Sequence, residues 1–454
     1  MSNYVIAGFE SLGLIINRFM KSDTFNDNFT SEQLSDFFIE NCNKLLHSYG
    51  QYFPGRKKFN KYDAYVANIF SKNKANPFFK GCEFIIDSGA FQVSVGRLDR
   101  REGDLLFHMY YEFLQKYPDV YDKAFVLDFS LGPECCIENT SDNLYFLNSA
   151  SYHIAANLPD NVRDKLIYIH HFRTPGLWNT YTRVLDEDDM FDKFNYHATG
   201  GLVINMTGDM AIPCIICIIP LIPLLNRAIK YKRKKLHFHI LGGSGFRDIL
   251  FYQLFQRLVK DVHDIDLVIT YDSSAIFKSL MVGRNFFLLD GAEIKKINIR
   301  SKFLPHNYGG SKSIFELYND TIHKFCADQN FKLPQTDYLY DKETGTFFEE
   351  YRIYSMLYSI WVYNQVEKEM EKAADELYPI YKSGDIEVFN QKIELVTRGM
   401  NSGRITKKQT VKSYSVSKSL DLLRNLDEDY CEYVVNKFLV RDEFIDRTDT
   451  LVCF

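Results

Sequence analysis

The sequence predicts an α/β fold, a (β/α)8 TIM-type barrel carrying a mainly helical C-terminal appendage. Three observations predict it. Roughly eight short β-type runs recur with helix-length stretches between them. Each run is apolar on both faces, as expected of parallel strands covered by helices. Polar residues, Asp87, Asp128, His170 and Asp272, stand at the C-terminal ends of four runs. That edge is where barrels assemble active sites from several strands. An open doubly wound sheet is the rival, but no Gly-rich dinucleotide fingerprint follows the first run.

The runs, in order, are YVIAG near residue 4, EFIID at 83–87, AFVLD at 124–128, LIYIH at 166–170 and GGLVI at 200–204. HFHILGG at 237–243, LVITYD at 267–272 and NFFLLD at 285–290 complete the set. The apolar stretch AIPCIICIIPLIPLL at 211–225 is shorter than the ~20 residues of a membrane span and is broken by Pro213, Pro220 and Pro223. It reads as a buried element packed on the sheet, and no membrane contact is expected. After about residue 305 the pattern changes, and 347–378 carries helical spacing of apolar residues. We therefore expect a barrel over 1–304 and a helical region over 305–454.

The 454 residues suit a barrel of about 250 residues plus an appendage. Hydrophobic residues make up 46% and charged residues 25%, as in ordinary globular proteins. Net charge is −5, so any nucleic-acid contact must come from a local basic patch. Two stretches qualify. The first is Lys230, Lys232, Arg233, Lys234 and Lys235; the second is 404–418, with Arg404, Lys407, Lys408, Lys412 and Tyr414. A run between a barrel helix and the next strand lies on the face away from catalysis, which favours the second. Nine scattered cysteines and no N-terminal leader suggest reduced thiols in the cytoplasm.

The most specific motif is Asp87-Ser88-Gly89-Ala90-Phe91-Gln92-Val93, directly after a run. Further along come Asp128, Gly200-Gly201-Leu202, Leu241-Gly242-Gly243 and Tyr271-Asp272-Ser273-Ser274. A single strand-end Asp is more often a turn or helix-cap residue than a catalyst; the ordered set is what points to chemistry. It resembles the tRNA-guanine transglycosylase superfamily, whose DSGGFQV signature the first motif matches with Ala90 for the second Gly. The resemblance covers about residues 80–280.

Base exchange with retention is a double displacement through an oxocarbenium-like transition state, which needs a carboxylate nucleophile and an acid/base carboxyl. The resemblance implies that Asp272 is the nucleophile and Asp87 the general acid/base. It implies that Asp128 pairs with the guanine N1–H and amino group. By the same resemblance, Ser88 and the backbone of Gly200, Gly201 and Leu202 would complete the base pocket, and Phe91 and Leu241 would sandwich the base.

The chain departs from the family in three places. Where bacterial relatives carry a base-holding Gln, this chain has His170-His171-Phe172. Either one histidine takes over that hydrogen bond or the pocket accepts a different incoming base. No Glu follows Gly-Gly-Leu, which leaves room for a nitrile-bearing, preQ0-like 7-deazaguanine. The family's Cys cluster for structural zinc is missing, since only Cys326, Cys431 and Cys453 follow Asp272. His323 and Cys326 share a predicted helix but are too few for a closed zinc site, so no metal or other cofactor is expected. His306, His323 and Cys326 are the residues to watch. These departures resemble the DNA-guanine transglycosylase branch, which implies DNA as the polymer. A tRNA substrate and a non-catalytic binding subunit on the same barrel are the alternatives.

Overall fold

The computed structural model describes residues 2–7, 16, 29–52, 61–90, 92, 100–128, 141–172, 175–200, 217–243, 246–273, 285–290, 293–298, 314–332, 340–341, 346–347, 352–398 and 416–438. Eight parallel strands close a barrel in sequence order. They are β1 (Tyr4–Ala7), β2 (Lys44–Ser48), β3 (Glu83–Asp87), β4 (Lys123–Phe125), β5 (Leu166–His170), β6 (Tyr196–Thr199), β7 (Lys235–Ile240) and β8 (Asp266–Ser273). Closure is between β8 and β1, with Tyr271 opposite Tyr4 and Asp272 opposite Val5. The expected (β/α)8 barrel is therefore present.

Helices follow the strands in turn: α1 (Ser31–Asn41), α2 (Tyr62–Lys74), α3 (Arg100–Lys116), α4 (Ser141–Ala156), α5 (Pro175–Glu187), α6 (Leu221–Lys230) and α7 (Phe246–His263). Local chemistry starts α1. Thr30 Oγ1 accepts from the Gln33 N–H at 3.1 Å and Gln33 Oε1 accepts from the Thr30 N–H at 3.0 Å, so two otherwise orphaned donors are satisfied. The proline-rich apolar stretch leads into α6. Pro220 precedes the helix and Pro223 sits in its first turn, where no intrahelical N–H is needed. Leu221, Ile222, Leu224 and Leu225 of α6 are all buried. No helix among the described residues is long and apolar enough to cross a membrane.

After β8 the chain forms an antiparallel hairpin, β9 (Asn285–Asp290) with β10 (Glu293–Asn298), and then α8 (Ile314–Asp328). A two-residue pair, β11 (Tyr340–Asp341) with β12 (Thr346–Phe347), precedes α9 (Arg352–Lys382). The last helices are α10 (Ile386–Arg398), α11 (Val416–Arg424) and α12 (Glu428–Phe438). Helix α9 lies between α7 and α1, the place of the eighth barrel helix. On one side Lys382 reaches Asp261 at 2.6 Å, and on the other Asn364 Nδ2 donates to Asn41 Oδ1 at 3.0 Å. Apolar packing is continuous across residue 305, with Tyr354, Leu357 and Val366 in the same cluster as Leu254 and Leu258.

Glu367 of α9 is driven into this wall. Its carboxylate accepts from Ser2 Oγ, from the Asn3 N–H at 3.0 Å and from the Tyr271 hydroxyl. It thus ties the helix to the seam between β1 and β8.

The strand assignments from sequence need three corrections. β2 (KLLHS) was not among the expected runs. The sixth strand is Tyr196–Thr199 rather than 200–204, of which 201–204 lie outside the described residues. NFFLLD is a strand, but among the described residues it pairs with β10 in a separate two-stranded sheet and is not a barrel strand.

Inside the barrel, Val5, Ala7, Leu46, Ile85, Phe125, Ile167, Ile169 and Ala198 form one apolar cluster. Outside it, Phe84, Leu236, Phe238, Ile240 and Ile269 pack against helices. The period of two along each strand therefore assigns inward and outward faces unambiguously. Asp87 shares the inward parity of Ile85.

Candidate active site

Six consecutive strands deliver a candidate residue to the C-terminal end of the barrel: Asp87 from β3, Asp128 after β4, His171 after β5, Gly200 after β6, Leu241 after β7 and Asp272 from β8. The end of β3 turns sharply beyond Asp87. Ser88 is fully buried, and its Oγ accepts from the Ala90 N–H at 3.2 Å. Gly89 has φ +86°, and a Cβ there would stand 2.4 Å from Gly50 Cα. Only glycine permits both that backbone and that approach. The Gln92 N–H closes the turn onto Gly89 O at 2.9 Å.

Asp128 stands three residues beyond the last ladder residue of β4, in a segment whose backbone is pinned. The Val126 N–H donates to Ile167 O at 3.0 Å, and the Leu127 N–H donates to the Tyr111 hydroxyl at 3.1 Å. Leu127 O accepts from Ser151 Oγ. Asp128 Oδ2 then lies 2.7 Å from His171 Nε2, which donates to it. A Cβ on Gly200 would come within 3.0 Å of Ile169 Cγ2, 3.4 Å of His171 Cε1 and 3.5 Å of Asp128 Oδ2. The absence of a side chain at Gly200 therefore lets its backbone approach Ile169 and the Asp128–His171 pair closely. The buried hydroxyl of Tyr110 is raised well above the ordinary tyrosine range, by burial first and then by the charges of Asp87 and Asp128. One phenol thus senses both carboxylates.

Asp272 is 8% exposed. Its Oδ1 accepts from the Gly242 N–H at 2.7 Å, in a turn where Gly242 takes φ +79°. His239 Nε2 approaches the same oxygen at 3.4 Å, the long end of hydrogen bonding. His239 Nδ1 lies 2.9 Å from Thr270 Oγ1, and its ring packs on Phe125. Neither His239 nor Thr270 was expected at the site. Both share the inward parity of Leu241 and Asp272, and that alternation within HFHILGG and LVITYD was the available signal.

The two histidines after β5 separate. His171 faces Asp128, whereas His170 turns to the helix side, where its Nε2 meets His197 Nδ1 at 3.2 Å. Burial holds His170 well below the ordinary imidazole range and holds His197 at about 3, so both rings are neutral. His170 is thus a wall residue, and of the pair only His171 faces Asp128. A small cavity behind it is lined by His171, Phe172, Trp178 and Tyr181. Leu241 is half-buried against the barrel-interior cluster, and its N–H donates to Thr199 O at 3.1 Å.

Phe91, Gly201 and Leu202 lie outside the described residues, as do Arg404, Lys407, Lys408, Lys412, Tyr414 and His306. The other basic run stands at the start of β7, at the far end of the barrel. Arg233 is paired with Asp192 at 2.8 Å and Lys234 with Asp264 at 2.6 Å. Those aspartates already neutralise charge that a phosphate contact needs. Cys326 and Cys431 are buried in the apolar core, where burial pushes both thiols up, Cys326 to about 12. Among the described residues, no three His, Cys, Asp or Glu side chains converge as a metal site.

Compared with known proteins, the chain matches no family model, no curated sequence and no solved structure.

Proposed function

We propose that this chain is a transglycosylase that exchanges guanine in DNA for a preQ0-like 7-deazaguanine base through a covalent Asp272–C1′ intermediate. One observation carries the reading. Five strand ends carry, at one mouth, an anchored carboxylate (Asp272), a second inward carboxyl (Asp87) and a carboxylate–imidazole pair beside a glycine backbone (Asp128, His171, Gly200).

In this reading the flat base lies over the Gly200 backbone, and Asp128 accepts the N1–H and amino donors of guanine. His171 holds Asp128 in place and limits its swing. The hydrogen bonds from described residues to Asp272 end on Oδ1. Oδ2 is therefore the attacking atom. It forms a bond to C1′ as the C1′–N9 bond breaks, and the Asp87 carboxyl gives its proton to the departing guanine. The incoming base then loses its N9 proton to Asp87 as N9 attacks C1′, and Asp272 leaves as a carboxylate. The two displacements retain configuration.

A duplex guanine reaches this mouth only when flipped out of the stack. The case for DNA over tRNA rests on the resemblance and on cysteines that serve as core residues after the nucleophile strand. Incubation with labelled guanine and either duplex DNA or tRNA tests the polymer. Label entering DNA is the expected result; label entering tRNA alone replaces DNA with tRNA in this account.

A further inference from the structure

We infer that His239 is a positioning residue for Asp272, held in one tautomer by Thr270, and that it governs how readily the covalent intermediate forms and resolves. The inference rests on the transglycosylase reading of the site. His239 is 4% exposed and stands inside the barrel. Its ring packs on Phe125 at 5.1 Å between centroids, which backs it on one side. A carboxylate at Asp272 only accepts, which places the imidazole proton on Nε2. Nδ1 is then the acceptor, and the Thr270 hydroxyl at 2.9 Å is its donor.

The chain Thr270 Oγ1–H to His239 Nδ1, and His239 Nε2–H to Asp272 Oδ1, is thus fully directed. With the Gly242 N–H on the same oxygen at 2.7 Å, it orients the carboxylate so that Oδ2 presents to C1′. When Oδ2 bonds to C1′, Oδ1 becomes the carbonyl oxygen of an ester. When C1′ departs to the incoming base, negative charge returns to Asp272, and both donors stabilise it. The two donors therefore favour Asp272 as a leaving group in the second displacement, and His239 has no contact with the base in either step. The 3.4 Å separation tightens as that charge returns, as catalytic hydrogen bonds commonly do.

The test uses the full chain with a guanine-containing DNA duplex and labelled guanine. It measures formation and breakdown of the Asp272 adduct in single turnovers. His239→Leu removes the donor and is expected to slow adduct breakdown about tenfold to a hundredfold, more than it slows formation. His239→Gln places an amide N–H near the Nε2 position and restores most of the rate. Thr270→Val leaves the ring but removes the donor to Nδ1, and is expected to slow adduct breakdown in the same direction as His239→Leu by a smaller factor. A wild-type adduct, with His239→Leu and Thr270→Val both at wild-type rates, overturns this inference alone. A wild-type chain that exchanges no base with DNA or tRNA overturns the reading of the site, and this inference with it.

Discussion

His171 Nε2 lies 2.7 Å from Asp128 Oδ2, although the two residues come from different strands and His171 is almost wholly buried. A hydrogen bond to a charged group is worth about 1.5–3 kcal/mol. His171→Ala leaves Asp128 free to rotate away from the Gly200 backbone. The expected result is a rise in KM for the base of about tenfold to a hundredfold, with kcat changed less. Steady-state base exchange across base concentrations checks it, and His171→Gln recovers part of the loss.

Two glycines separate folding from binding. Gly89→Ala forces a Cβ into a backbone at φ +86° and within 2.4 Å of Gly50 Cα. It should destabilise the chain by about 1–3 kcal/mol or more, read as a lower denaturant midpoint. Gly200→Ala has ordinary backbone geometry but meets Ile169 Cγ2 at 3.0 Å and His171 Cε1 at 3.4 Å, both side chains. It is expected to shift the midpoint by less than Gly89→Ala, whose clash is with backbone, while weakening base binding by displacing the Asp128–His171 pair.

Three buried imidazoles make the fold sensitive to acid. Burial lowers His47 and His197 to about 3, and His170 is lowered as well, chiefly by burial. Groups whose folded pKa is depressed bind protons more readily in the unfolded chain. Stability is therefore full above about 6.5 and is lost as pH falls toward 3. His47 sits against Phe70 and Phe84. His47→Leu should flatten this acid limb in thermal unfolding measured between neutral pH and pH 4.

Glu367 gives the opposite slope. Burial raises its carboxyl above the ordinary value. The folded state then holds the proton more tightly than the unfolded chain, so stability falls as pH rises from the ordinary carboxyl range through the raised value. Glu367→Gln is expected to remove that slope. Glu367→Ala strands three donors at the β1–β8 seam and should cost about 2–5 kcal/mol, measured by denaturant unfolding.

The barrel was legible in the sequence from its apolar runs, but two of its strands were not. Asp87 and Asp272 terminate strongly apolar runs, and their flanking Ser and Gly residues mark turns, so local pattern was enough to place both at strand ends. β2 hid because Lys44, His47 and Ser48 leave only Leu45 and Leu46 as apolar signal, and His47 is buried only in the assembled wall. β6 (YHAT) hid for a related reason. His197 is held there by a contact with His170 from the neighbouring strand and by stacking on Phe191. Such tertiary contacts leave no trace at the level of hydropathy.

The eighth helix was invisible for another reason. A hairpin and α8 stand between β8 and α9, and nothing local says that Arg352–Lys382 returns to pack between α7 and α1. His239 could have been found. Its place in the His237–His239–Leu241 alternation marks it as inward, one residue pair before the turn that holds Asp272.

The central claim is that Asp272 Oδ2 attacks C1′ of a guanosine in DNA. Its most direct test is to quench the chain during exchange on a guanine-containing duplex and map any covalent deoxyribose adduct by peptide mass. The account predicts the adduct on Asp272 in the wild-type chain and none in Asp272→Asn, with exchange abolished. Exchange that persists in Asp272→Asn, or an adduct on another residue, contradicts it.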